Sequence, residues 1–138
     1  MISFSRREMT RAWTTASQAA QVTPRTNAHR LLLFYAVECG LKASYMKRCN
    51  MDPLGSHPAE LITHDLNRIL ALLHVGSELN LPTQMRLPSL KQAQPYRSCN
   101  IGEINQVWRY GGRLEQPTDI ALEQRLEAIQ NWISKELE

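Results

Sequence analysis

From Asn27 to Arg48 no proline interrupts the chain, and apolar residues fall on every side of any helix drawn through it. Ala28, Leu31, Leu32, Tyr35, Cys39, Lys42 and Met46 follow the three-and-four spacing of one face, while Leu33, Phe34, Val37 and Leu41 fill the others. A helix that is apolar nearly all round needs neighbours on several sides, so the rest of the chain has to pack around this one. Leu32 and Tyr35 are expected among its core residues. Glu38 and Lys42, four residues apart in the favourable order, are expected to pair on the surface or across a bundle, with Arg109 as a second partner for a buried Glu38.

The flanking segments supply helices. Ser5 to Gln21 reads as one, with Met9, Ala12, Trp13, Ala16, Ala19 and Ala20 on one side and Pro24 beyond its end. Thr63 is predicted to cap a helix running to Val75, with Leu66, Ile69, Leu70, Leu73 and His74 inward and Gly76 as the stop. Asn100 and Glu103 form a capping box that opens a helix through Tyr110, broken by Gly111-Gly112. Thr118 caps a last helix with the stripe Leu122, Leu126, Ile129, Ile133 and Leu137. No segment alternates as a strand does, so the fold class is all-α, an up-and-down bundle of four to five helices. At 138 residues it is read as one domain over 1–138.

Composition narrows the function classes. Charged residues are 21% and the net charge is +3, with Lys and Arg scattered, so nucleic-acid contact is permitted and not demanded. Three cysteines without CxxC pairing argue against a disulfide scaffold or zinc knuckle and fit a reducing cytoplasm. Met1 to Arg7 lacks the apolar stretch of a signal peptide, and Leu31 to Val37 is far short of the roughly 20 residues that span a bilayer. Neither a phosphate-binding Gly-rich loop nor a nucleophile triad is present, and no cofactor or metal is called for.

Two runs carry a resemblance. Ala28-His29-Arg30-Leu31-Leu32-Leu33-Phe34-Tyr35-Ala36-Val37-Glu38-Cys39-Gly40-Leu41-Lys42-Ala43 is similar to the long second helix of HEPN domains (higher eukaryotes and prokaryotes nucleotide-binding). His64-Asp65-Leu66 with Leu70 resembles the start of that family's next helix, and Trp108-Arg109-Tyr110 the end of a later one. The resemblance covers Asn27 to Gly112. It implies a HEPN-like bundle that commonly dimerises and serves bacterial defence, toxin–antitoxin or RNA-processing systems. Active members carry Arg-x(4–6)-His. Here Arg68-x5-His74 has that spacing, but on an earlier helix than the family's, and Asn105 to Arg113 contains no His. In such a pair the imidazole would move a proton and the guanidinium would stabilise charge on the phosphorus oxygens.

The leading expectation is therefore a non-catalytic or degenerate HEPN-like module that binds a partner protein or RNA, as a homodimer or in a hetero-complex. One alternative is a metal-independent endoribonuclease using Arg68 and His74. The other is a phosphohydrolase resembling the HD superfamily, with His29, His64-Asp65 and Asp119 as its metal-ligand types. The proline-bearing stretch Leu81 to Cys99 reads as a long irregular connection with two possible roles. Its Met85, Leu90 and Tyr96, with Arg86, Lys91 and Arg97, form a candidate partner or nucleic-acid surface, to which Arg109 is added. Alternatively, its apolar side chains close the open end of the bundle.

Overall fold

The structure is a computed structural model and describes residues 4–52, 63–90 and 97–138. Its elements run α1 (Arg6–Ala19), α2 (Asn27–Arg48), α3 (Leu66–Leu72), β1 (Met85–Leu87), β2 (Arg97–Cys99), α4 (Ile104–Arg109) and α5 (Asp119–Glu136). Short 3-10 turns precede β1 at Ser77–Leu79 and lead into α4 at Ile101–Glu103. The chain is a helical bundle around α2, which packs against α1, α3, α4 and α5.

The caps explain where the helices start. Ser5 accepts from the Glu8 amide while Glu8 accepts from the Ser5 amide, a reciprocal box that opens α1. Thr118 accepts from the Ala121 amide at the head of α5, and Asn100 with Glu103 closes the box before α4. The start of α3 differs from expectation: Asp65 is its N-cap, accepting from the Asn67 amide, while Thr63 Oγ1 accepts from Asp65 N. The acidic side chain takes the cap, and Thr63 orders the turn before it.

Three helices end the same way. Beyond α2, α3 and α4 the chain turns left-handed at Asn50, His74 and Gly111, with φ of 50°, 54° and 78°. In each case the next residue's amide reaches back across the last turn, Met51 to Met46 O, Val75 to Leu70 O and Gly112 to Val107 O. This is the Schellman closure, and glycine suits it best. His74 is thus the turn that ends α3, exposed instead of inward, and Gly76 is not the stop.

The core faces of α2 are Leu33, Phe34, Ala36, Val37, Leu41 and Ala43, all buried. Leu32 and Tyr35, expected in the core, are half-buried. Both faces are apolar, so spacing alone could not choose between them. Leu122, Leu126, Ile129 and Ile133 of α5 are buried as expected. The helices approach closely at Gly40. A Cβ there would stand 2.7 Å from Trp13 Cδ1 and 2.8 Å from Ile133 Cγ2, so α1, α2 and α5 meet where α2 has no side chain.

At the other end of α1, Arg25 donates to the Ala20 carbonyl, Glu123 (3.0 Å) and Glu127 (2.6 Å), and Arg30 donates to Glu123 at 2.8 Å. This ion network fastens the α1–α2 turn onto α5.

The stretch from Leu81 to Cys99 contains two strands that were not expected. β1 and β2 pair antiparallel, Met85 with Cys99 and Leu87 with Arg97, and Arg86 bridges on to Gln116. Met85 and Leu87 point inward on either side of Arg86. Three residues per strand are too few for alternation to register in the sequence.

Three variants test these turns and contacts through stability. Gly40→Ala should lose about 1–3 kcal/mol through overpacking, although removing a mid-helix glycine alone gains about 1 kcal/mol; urea titration reads the sign. His74→Gly should gain about 0.5–1 kcal/mol by relieving the left-handed turn, seen as a raised thermal midpoint, and Asn50→Gly should gain less because asparagine tolerates that region.

Candidate functional site

The charged groups of α2 are the first to locate, because burying charge is costly unless it is paired. Glu38 and Lys42 are 9% and 7% exposed. Lys42 Nζ donates to Glu38 Oε2 at 3.1 Å, and His64, just before α3, meets Glu38 Oε1 at 2.8 Å. An ionised carboxylate only accepts, so His64 Nδ1 carries the proton in this contact. Both carboxylate oxygens are thereby occupied. The imidazole itself is 57% exposed. Arg109 does not reach Glu38; it donates to the Tyr35 hydroxyl at 3.2 Å. Tyr35, Glu38 and Lys42 follow helical spacing, so α2 carries a polar seam that meets α4 at one end and His64 midway.

Glu38, Cys39 and Lys42 also form one wall of an open groove of about 590 Å³ between α1 and α2. The other wall is Phe4, just ahead of α1, with Glu8, Met9, Arg11, Ala12 and Thr15 of the helix. Burial, with help from the Glu38 charge, pushes the Cys39 thiol above its ordinary range, so at neutral pH it is protonated and behaves as a small apolar group. With Glu38 and Lys42 neutralising each other, the groove offers apolar surface and two rim charges, Glu8 and Arg11.

Arg68 and His74 are both exposed, and with Ala71 and Leu72 they line a shallow depression of about 320 Å³ at the end of α3. On α4, Asn105 sits one turn before Arg109; its Oδ1 is buried with no hydrogen-bond partner among the described residues. Asp119, Asp65 and His29 have local work. Asp119 accepts from Trp108 Nε1 (2.9 Å) and the Leu114 amide (3.1 Å), and Asp65 caps α3. His29 Nδ1 accepts from the Thr26 amide at 3.2 Å. Among the described residues no group of three His, Cys, Asp or Glu side chains is placed to hold a metal ion, and no helix is long and apolar enough to cross a membrane.

The expected surface over Leu81 to Cys99 divides. Met85 is 1% exposed and Leu81 and Leu87 are buried, so this part closes the bundle and offers nothing to a partner. Arg86 is tied to the neighbouring segment, donating to Gln116 Oε1 at 3.1 Å and pairing with Glu115 at 3.4 Å. Arg97 donates twice to the Pro88 carbonyl, and Leu90 stands 72% exposed. Lys91 and Tyr96 lie outside the described residues.

The α1–α2 groove and the His64–Glu38 contact were not foreseen. Two opposite charges inside a continuous apolar run were the available signal for Glu38 and Lys42. Nothing local links Glu38 to His64. No family model, curated protein or solved structure matches the chain.

The division of the Leu81–Cys99 stretch is checked by two variants. Met85→Asp should cost about 3 kcal/mol or more by burying a carboxylate, whereas Leu90→Asp should stay within about 0.5 kcal/mol, both measured by chemical denaturation.

Proposed function

We propose that this chain is a HEPN-like binding module without catalysis of its own, acting on a partner protein within a bacterial defence or toxin–antitoxin assembly. The family and its biological setting rest on the resemblance of Ala28–Ala43, His64–Leu66 and Trp108–Tyr110. One observation carries the binding role: the groove between α1 and α2 is open and largely apolar, while Glu38 has both oxygens engaged and Cys39 is protonated. Such a surface can bury an apolar partner, and its groups are poorly placed to attack one. A protein partner fits better than RNA, because among the described residues the groove is lined by two cations, Arg11 and Lys42, and Lys42 is already paired with Glu38.

A second reading has its own support. Arg68 and His74 share one exposed depression, so a phosphodiester could meet both, as a metal-independent ribonuclease requires. Incubating purified protein with single-stranded and hairpin RNA in chelator separates the two. The binding reading expects intact RNA. Cleavage that His74→Ala abolishes would replace it with the ribonuclease.

A further inference from the structure

We propose that the surface between α2 and α4 binds an extended peptide segment of the partner protein. Asn105 accepts a main-chain N–H of that segment, and Arg109 pairs with the carboxylate of an acidic residue at the same place. This gives the partner of the binding module a recognition chemistry, on the α4 side of α2, and rests on that reading.

Three contacts set α4 antiparallel to α2. A Cβ on Gly102 would stand 3.9 Å from the Asp65 amide nitrogen, next to the His64 that meets Glu38. Arg109 donates to the Tyr35 hydroxyl, and Asn27 Nδ2 donates to the Gly112 carbonyl at 2.9 Å. Gly102, Asn105 and Arg109 follow one stripe at three- and four-residue steps. Asn105 therefore stands between the Glu38–His64 contact and the Tyr35–Arg109 contact.

That position holds an unmet need. Asn105 is 7% exposed, and its Oδ1 has no hydrogen-bond partner among the described residues. A buried acceptor without a donor is costly and calls for one from outside. The neighbouring donors His64 Nδ1 and Lys42 Nζ are turned to Glu38. A ligand here has to bring an N–H or O–H.

Charge then selects the rest of it. Lys42 and Glu38 offset each other. Arg109 is exposed, flanked by the hydroxyls of Tyr35 and Tyr110, and pairs with no carboxylate among the described residues. Its guanidinium keeps further N–H donors in a fork that fits a carboxylate. The acids Asp65 and Glu103 stand at the other end of the stripe, beside Gly102, and oppose a run of acidic residues. One acidic residue, at the Arg109 end, is what this surface accepts. A phosphodiester brings charge but no donor for Asn105. A peptide brings both, since Asn105 and Arg109 are about 6 Å apart along the helix axis, a span that one residue's N–H and carboxylate can bridge. Half-buried Leu31 and Tyr35, with the 78% exposed Tyr110, offer apolar contact to the flanking residues.

The test is an NMR titration of the full, isotope-labelled chain, read at the Asn105 side-chain amide and the Arg109 Nε–H. The probe is a blocked tripeptide with aspartate between two leucines. It should shift both signals to saturation. Its asparagine counterpart, and the analogue N-methylated at aspartate, should each bind about tenfold more weakly or worse. Arg109→Gln should erase the preference for aspartate over asparagine, and Asn105→Ala the penalty of N-methylation. If Asn105→Ala does not fold, the two analogues on wild type decide. The inference is overturned if the tripeptide shifts neither signal at millimolar concentration, or if either analogue binds as tightly as the parent. It is equally overturned if inorganic phosphate at the same concentration shifts both signals as far. None of these results touches the binding reading, which fails instead if the protein cuts RNA.

Discussion

Three helices can converge in this molecule because α2 has no side chain at Gly40. Trp13 of α1 and Ile133 of α5 occupy the space a Cβ would need. That approach brings Trp13 Nε1 to 2.7 Å from Gln130 Oε1, and Gln130 Nε2 in turn donates to Ser17 at 2.8 Å. The polar tip of a large, half-buried aromatic is thus satisfied by a side chain of α5. With α1 held at this point, its far side is left facing outward, and the groove beside Glu38 and Lys42 is the space between two helices fixed elsewhere. Packing at one glycine therefore sets the shape of a surface on the other side of α1.

The extent to which the sequence announced this architecture varies by element. The bounds of α2 and the Thr118 cap of α5 follow from local chemistry and were legible, as was the Glu38–Lys42 pair, because its partners are one turn apart. The inward face of α2 was not, since Leu32 and Tyr35 compete with Leu33 and Phe34 on equal apolar terms. The left-handed turn at His74 was hidden because Gly76 is the better candidate by propensity, and tertiary packing placed the turn two residues earlier. Contacts between residues distant in sequence were beyond reach. His64 meets Glu38, and Trp13 meets Gln130, with no pattern in either neighbourhood to pair them.

The polar seam of α2 sits uneasily with an ordinary core helix. Replacing a buried ion pair by apolar residues is often neutral or stabilising, so the presence of Glu38 and Lys42 is weak evidence for stability. Their geometry is better described as a fixed, self-compensated floor. Lys42 holds one oxygen, His64 the other, and the aliphatic stem of Lys42 is free to line the groove as apolar surface. Tyr35 continues the same seam toward Arg109 on α4, so groups from three parts of the chain are placed along one helix.

Arg25 carries a consequence for motion. Its guanidinium holds the Ala20 carbonyl at the end of α1 and two carboxylates of α5, and Arg30 shares one of them. Segments joined through one shared ion cluster cannot fray separately without stranding a charge that is largely out of water. The end of α1 and the first turns of α5 are therefore expected to open as one unit, although they lie about a hundred residues apart in the chain.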